Sequence, residues 1–196
     1  MARKIEFDRD IALNQSMMLF WEKGYENTSV QDLVETLELN RFSIYNTFGD
    51  KNALFLLAME QYRTQLFETL NAPLNDTKSN PKQRLDNYLK QFGDHLVSSQ
   101  GQFGCLIQNS VMGDVLQYDD IRTFVMKAFA DLESALIHTL EDAKTDGELE
   151  QNCDTEAAAT HVLSSIQGLI LLRKMGKNTE SIKSQIRFLR ETVAKW

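Results

Sequence analysis

Helix breakers are scarce in this chain. Of 196 residues only Pro73 and Pro81 are proline and nine are glycine, so long stretches run uninterrupted, which weighs against an all-β fold with many tight turns. Cysteine is equally rare: Cys105 and Cys153 are too few and too far apart for a disulfide framework, and neither belongs to a Cys-x-x-Cys pair. Both are expected to be free thiols in a reducing compartment. The histidines, His95, His138 and His161, stand at no metal-ligand spacing from one another or from a cysteine, so no metal is expected. Apolar runs such as residues 168–172 fall far short of the roughly 20 residues that a membrane span requires. The opening Met-Ala-Arg-Lys-Ile-Glu-Phe-Asp turns acidic before an apolar core forms, so no signal peptide is read there and the expected location is the cytoplasm. A glycine-rich phosphate loop, a His-Glu metal motif and a nucleophile elbow are all missing, and neither enzymatic activity nor a cofactor is expected.

Positive charge is also in short supply. The net charge is −7, and residues 1–51 hold six lysines and arginines against nine acidic residues, without the basic excess common in nucleic-acid-binding domains. Any DNA-binding reading therefore stands on local geometry. The charge balance favours its rival, a helical bundle that binds other proteins. With 42% hydrophobic and 25% charged residues the composition is that of a soluble globular chain, long enough for one core or for a small head on a larger body.

What is present is helical periodicity with clear punctuation. A first helix is predicted from about Asp8 to Lys23, with Asp8 and Asp10 at its N-terminus, Ile11, Ala12, Ser16, Leu19 and Phe20 on one face, and Gly24 as its stop. Residues 30–37 form a second, short helix with an apolar stripe of Val30, Leu33, Val34 and Leu37; if Thr28 is its N-cap, Gln31 and Asp32 complete a capping box. After the three-residue link Glu38-Leu39-Asn40, Asn40 can cap a third helix over residues 41–48, with Ile44 and Phe48 on one face. Short helix, tight turn and short helix is the spacing of a helix-turn-helix, whose second element enters the DNA major groove. Asp50 then caps a long connector helix from Lys51 to about Leu70, with Ala53, Leu54, Leu57, Ala58, Tyr62, Leu66 and Phe67 inward. A loop over residues 71–80 precedes a helix that starts at Pro81 and reaches about Ser98. Further helices are expected from Cys105 to Met112, from Asp119 to Thr145, from Thr155 to Leu172 and from Thr179 to Lys195. The apolar coverage of the last two is broad for a monomer, and such pairs bury themselves against a two-fold mate as a four-helix bundle.

The line from Gly24 to Phe55, Gly-Tyr-Glu-Asn-Thr-Ser-Val-Gln-Asp-Leu-Val followed by Leu-Asn-Arg-Phe-Ser-Ile-Tyr-Asn-Thr-Phe-Gly-Asp-Lys-Asn-Ala-Leu-Phe, closely resembles the N-terminal signature of TetR-family transcriptional repressors. Leu19-Phe20 ahead of Lys23-Gly24-Tyr25 echoes the sequence before it. The resemblance covers roughly the first quarter of the chain, and the remainder agrees in length and helical texture. It implies an all-α fold of about nine helices: a three-helix DNA-binding head, residues 1–50, and a helical ligand-binding and dimerisation body, residues 51–196. It implies further a homodimer, joined through the last two helices, that occupies a palindromic double-stranded operator and leaves it when a small effector changes the spacing of the heads. By the same resemblance Tyr45 and Lys51 correspond to positions that touch backbone phosphate, Phe48 packs the head, and Thr28 and Ser29 bring a capped helix end near a phosphate. The implied base-facing set is Arg41, Phe42, Ser43 and Asn46, with Thr47 beside them.

Side-chain chemistry offers several base contacts. Arg41 has a fork for guanine O6 and N7, Asn46 an amide for adenine, each worth roughly 1–3 kcal/mol of discrimination when bidentate, and Phe42 a ring for a thymine methyl. Arg3, Lys4, Arg9, Arg41 and Lys51 can gather on one face while the acidic residues point away. Glu38 departs from the family, which commonly has glycine near this turn; a left-handed residue here would cost roughly 1 kcal/mol.

In the body, Cys105 follows Gly104 at a predicted helix N-terminus, where the dipole favours thiolate. The run Phe-Gly-Cys-Leu-Ile-Gln-Asn, residues 103–109, resembles a stretch in a subgroup of these repressors, some of which sense electrophiles or oxidants through that cysteine. Cys105 thus reads as a buried structural thiol or as a sensor. His95 and His138 are candidates to line an apolar effector cavity with Tyr88, Phe92, Phe103, Met112, Tyr118, Phe124 and Phe129, aromatics that serve equally well as core.

Overall fold

A computed structural model describes residues 7–196, which fall into two compact units. Arg3 and Lys4, expected among the phosphate-facing cations, lie outside the described residues. One unit holds the chain up to Leu66 together with Leu106–Val125; the other holds Phe67–Cys105 and Met126–Trp196. Ten α-helical segments carry the described residues, with no strand among them. No helix there is long and apolar enough to cross a membrane.

In the first unit α1, Arg9–Lys23, starts at Asp8, whose carboxylate accepts from the amides of Asp10 at 2.9 Å and Ile11 at 3.2 Å. It buries Ala12, Leu13, Ser16, Met17, Phe20 and Trp21 and stops at Gly24, held at φ 82°. Ile11, expected in that stripe, is 60% exposed, because at 100° per residue it points opposite to the centre of the arc set by Leu13, Ser16 and Phe20. α2, Val30–Leu37, corrects the expected cap: Ser29, not Thr28, is the N-cap, and Asp32, not Gln31, closes the box. Ser29 Oγ accepts from the Asp32 amide at 3.0 Å while the Asp32 carboxylate accepts from the Ser29 amide at 2.7 Å. Lys23 binds the same carboxylate at 2.5 Å, tying the end of α1 to the start of α2. This pairing first, and Ser29 second, holds the Asp32 carboxyl below its ordinary value. Leu33 and Leu37 are buried, and Val30 and Val34 only half-buried.

Glu38 ends α2 at φ 53°, ψ 32°, the single left-handed non-glycine residue among those described. α3, Arg41–Phe48, follows with Asn40 as N-cap, its side chain accepting from the Ser43 amide at 2.9 Å. Gly49 then turns at φ 85°, and α4, Lys51–Tyr62, starts on Asp50, which accepts from the Ala53 amide at 2.9 Å. α4 packs on α1 through Phe20 against Phe55, ring centroids 4.9 Å apart, and Trp21 against Tyr62 at 5.0 Å, both edge-on. A wide π turn, Arg63–Phe67, joins it without a break to α5, Glu68–Asn71. Counted as one rod with that turn, α4 and α5 reduce ten segments to nine rods. The π turn shifts the helical phase by one residue, so Leu66 and Phe67, expected inward on an unbroken 3.6-residue period, are only half-buried.

Leu106–Val125 completes this unit. Ser110 Oγ lies 3.6 Å from the thioether sulfur of Met59 and donates to the Leu106 carbonyl at 2.9 Å. After the short α7, Leu106–Val111, a 3₁₀ turn over Asp114–Gln117 donates its Val115 amide to Glu26 at 3.2 Å. Tyr118 sets its ring 6.1 Å from Tyr25, and Arg63 lies over Phe124 at 6.0 Å.

In the second unit α6, Pro81–Val97, begins with Asn80 as cap and proline in the first turn. α8, Asp119–Thr145, contributes its length from Met126 onward, and Gly147 turns after it at φ 73°. α9, Thr155–Lys174, is capped by Asp154, and α10, Thr179–Val193, by Asn178. α10 lies against α6 where Gly93 admits Ile186 and Arg190 grips Asp86 through two hydrogen bonds of 2.7 and 2.8 Å. Arg84 is largely buried; its Nε donates to the Leu74 carbonyl at 2.8 Å and its Nη1 pairs with Asp142 at 2.7 Å.

Replacing Glu38 with glycine removes the Cβ strain of the left-handed turn. Glu38→Gly is expected to raise unfolding stability by about 1 kcal/mol, seen as a Tm increase of about 2–4 °C, while Glu38→Ala gives no such gain.

Candidate nucleic-acid interface

α3 is a rod of eight residues with two unlike sides. Ile44 and Phe48, four residues apart, are 0% and 4% exposed and brace it against the unit's interior. Arg41, Phe42 and Asn46 face solvent, and Ser43, Tyr45 and Thr47 lie half-buried along the borders. Phe42 and Asn46 are again four apart, so they stand one above the other on the outer side.

Cations around α3 rest on aromatic faces. The Arg41 guanidinium lies 5.1 Å from the centroid of Tyr45, Arg9 lies 5.4 Å from that of Phe48, and the Lys51 ammonium 4.1 Å from that of Tyr25. The fourth described cation up to residue 51, Lys23, is instead paired with Asp32. A cation held by a ring quadrupole is positioned without an acidic partner to neutralise it. Burial against Tyr25 pulls the Lys51 pKa below its ordinary value, with Glu26 acting in the opposite sense.

The caps at the start of α2 are already engaged. Thr28 is fully buried and its hydroxyl donates to the Gly24 carbonyl at 2.7 Å, while the exposed Ser29 gives its hydroxyl to Asp32 at 2.6 Å. The structure thus brings Arg41, Phe42, Ser43, Tyr45, Asn46 and Thr47 onto one short rod, sets Lys51 just beyond it, and places the Thr28 and Ser29 hydroxyls in internal bonds.

Sequence reasoning missed the support beneath Lys51. Tyr25 packs among Phe20, Phe55 and Tyr118 and donates its hydroxyl to Asn52. Burial first, and Tyr118 second, raises the Tyr25 pKa. The spacing Tyr25 to Lys51 carries no local signal; only the identity of Tyr25 as an aromatic after a helix stop hinted at it.

Candidate effector residues are divided between the units. In the first, Met112 is 80% exposed, Tyr118 packs on Tyr25, and Phe124 lies under Arg63. In the second, Tyr88 and Phe92 are buried with ring centroids 6.4 Å apart, Cys105 is 8% exposed, His95, Phe103 and Phe129 are half-buried, and His138 faces solvent. Burial lowers the His95 pKa. Two cavities of this unit lie elsewhere: a groove of about 510 Å³ beside Lys82, Asp86, Glu148 and Arg190, and a small void beside Leu85, Thr139 and Leu149. None of the candidates lines either one.

Comparison with known proteins bears on this arrangement. The uncharacterized HTH-type transcriptional regulator YezE of Bacillus subtilis (strain 168) is 28% identical over 191 residues, 95% of this chain and 96% of its own. The HTH-type transcriptional repressor ComR of Escherichia coli (strain K12) is 28% identical over 176 residues, 90% of this chain and 84% of its own. Among solved structures, a cysteine-substituted form of the TetR family transcriptional regulator CifR, complexed with 26-bp double-strand operator DNA, superposes with a TM-score of 0.86 at 24% identity, covering 96% of this chain and 98% of that one. That likeness speaks to the fold. Residues 12–58 match the tetR family of bacterial regulatory proteins and residues 81–189 match the tetracyclin repressor-like C-terminal domain; spanning both, the chain belongs to the TetR family of bacterial regulatory proteins.

Proposed function

We propose that this protein is a transcriptional repressor that binds a palindromic double-stranded operator as a homodimer in the cytoplasm and is released by a small hydrophobic or electrophilic effector. The observation that carries the DNA-binding reading is α3 itself, a short rod braced by Ile44 and Phe48 with Phe42 and Asn46 turned outward and cations parked on rings beside them. On this reading residues 1–50 bind DNA and residues 51–196 bind effector and partner subunit. Tyr45 and Lys51 contact phosphates, while Arg41, Phe42, Ser43 and Asn46, with Thr47, face bases. At the start of α2 the engaged hydroxyls of Thr28 and Ser29 leave backbone amides as the groups able to approach phosphate.

Dimerisation through α9 and α10 is supported by Leu171, Leu172, Met175 and Phe188, which are 45%, 40%, 73% and 67% exposed. Large apolar side chains at such exposure on adjoining helices are suited to a four-helix contact with a second copy. For the effector, the body contributes the neighbouring Tyr88 and Phe92 and the buried thiol Cys105. The rival reading, a protein-binding helical bundle, draws its support from the net charge of −7.

A gel shift on the protein's own promoter region separates the two: a repressor binds there and weakens as salt rises, because counterions are released on binding. Replacing Tyr45 or Lys51 is expected to weaken cognate and scrambled duplexes alike, with Lys51→Ala lowering the salt slope by about one per contact, whereas Arg41→Ala or Asn46→Ala changes base preference. Equal losses on both duplexes for the Arg41 variant would remove it from the reading set. Phe188→Asp is expected to shift the protein from dimer to monomer in analytical ultracentrifugation and to abolish operator binding with it. Alkylation should reach the half-buried Cys153 at least about tenfold faster than Cys105 in the folded protein. Complete modification of Cys105 should then lower operator affinity, and unchanged affinity counts against a sensing role.

A further inference from the structure

We propose, building on the operator-binding reading above, that Phe42 is a specificity-determining residue that reads the 5-methyl group of a thymine in each half-site, with Asn46 reading an adenine within one or two base pairs of it. Phe42 is 75% exposed at the second position of α3, with no ring or cation stacked on it among the described residues, although phenylalanine is a mediocre helix former and gains nothing from standing in water. Its neighbours on the rod are otherwise occupied. Ile44 and Phe48 are buried, and the Arg41 guanidinium is folded back over Tyr45, which draws the one long cation of the rod away from the Phe42 side. Beside that exposed cation, the outward groups are an apolar ring and, one helical turn later, the exposed amide of Asn46.

This pair has a defined chemical complement. On the floor of the major groove the one apolar group is the thymine methyl, and the adenine edge offers the N7 acceptor and N6 donor that a carboxamide matches in a bidentate pair. Residues four apart on a helix lie about 6 Å apart, close to two base-pair steps of roughly 3.4 Å. Phosphates offer the ring nothing, since it carries neither charge nor donor.

The test uses duplexes recovered from a randomised pool by the full-length wild-type protein, resynthesised with each thymine replaced singly by uracil, which deletes only the methyl. Wild type is expected to lose about fourfold in affinity when the critical thymine of one half-site is replaced, and on the order of fifteenfold when both are. Phe42→Ala should bind the parent duplex more weakly and respond less than about twofold to the same replacement, while Phe42→Leu, which keeps an apolar side chain, retains part of the response. Circular dichroism of Phe42→Ala should match wild type, because the residue is outside the core. An enriched duplex whose every thymine tolerates uracil, or a Phe42→Ala variant as methyl-sensitive as wild type, overturns the inference alone. Recovery of no duplex overturns operator binding and this inference together.

Discussion

Phe20 sets its ring edge-on against Phe55, and Trp21 does the same to Tyr62, so that α1 and α4 cross through rings unable to slide past one another. Each such pair contributes about 0.5–1.5 kcal/mol beyond its buried area, but direction matters more than strength here. α2 and α3 are eight residues each, too short to persist alone, and they hold their shape by placing Leu33, Leu37, Ile44 and Phe48 in the frame that α1 and α4 provide. Tyr25 extends the same aromatic cluster to the ammonium of Lys51. A side chain on the outer face of α3 is therefore aimed by rings at some distance from it.

Aromatic faces also resolve the tension between an acidic head and an anionic partner. Up to residue 51 the described cations number four: Arg9, Lys23, Arg41 and Lys51. Three of them lie on rings, and only Lys23 is held by a carboxylate. Ring contact fixes a cation in place and leaves its full charge, whereas pairing with Asp or Glu would cancel it. Bulk charge is for this reason a poor guide to what the surface around α3 presents.

The elements legible in the sequence are those whose signals are local. Asp8, Asn40 and Asp50 cap the helices that follow them because a cap acts within three residues, and Gly24, the expected stop of α1, turns with positive φ. The cap of α2 slipped by one residue because Thr28 and Ser29 are chemically near-equivalent; burial took the first and left the second for the box. Ile11 faces solvent against expectation, since apolarity alone does not fix the centre of a stripe. Least legible was the placing of Leu106–Val125 with the first unit, which depends on Glu26 accepting from Val115 and Tyr25 meeting Tyr118, contacts about ninety residues apart. The same distance in sequence hid the surroundings of Met112, Tyr118 and Phe124.

The wide turn at Arg63–Phe67 has a consequence for how chain length is tolerated. It houses one residue more than a regular turn, so the rod is in effect two helical rulers laid end to end with their marks out of step. Losing a single residue there would restore regular winding, because the wide turn is where the extra residue is absorbed. A shortened relative of this rod would thus keep its side chains on the same faces while the residue numbers beyond the turn fall by one.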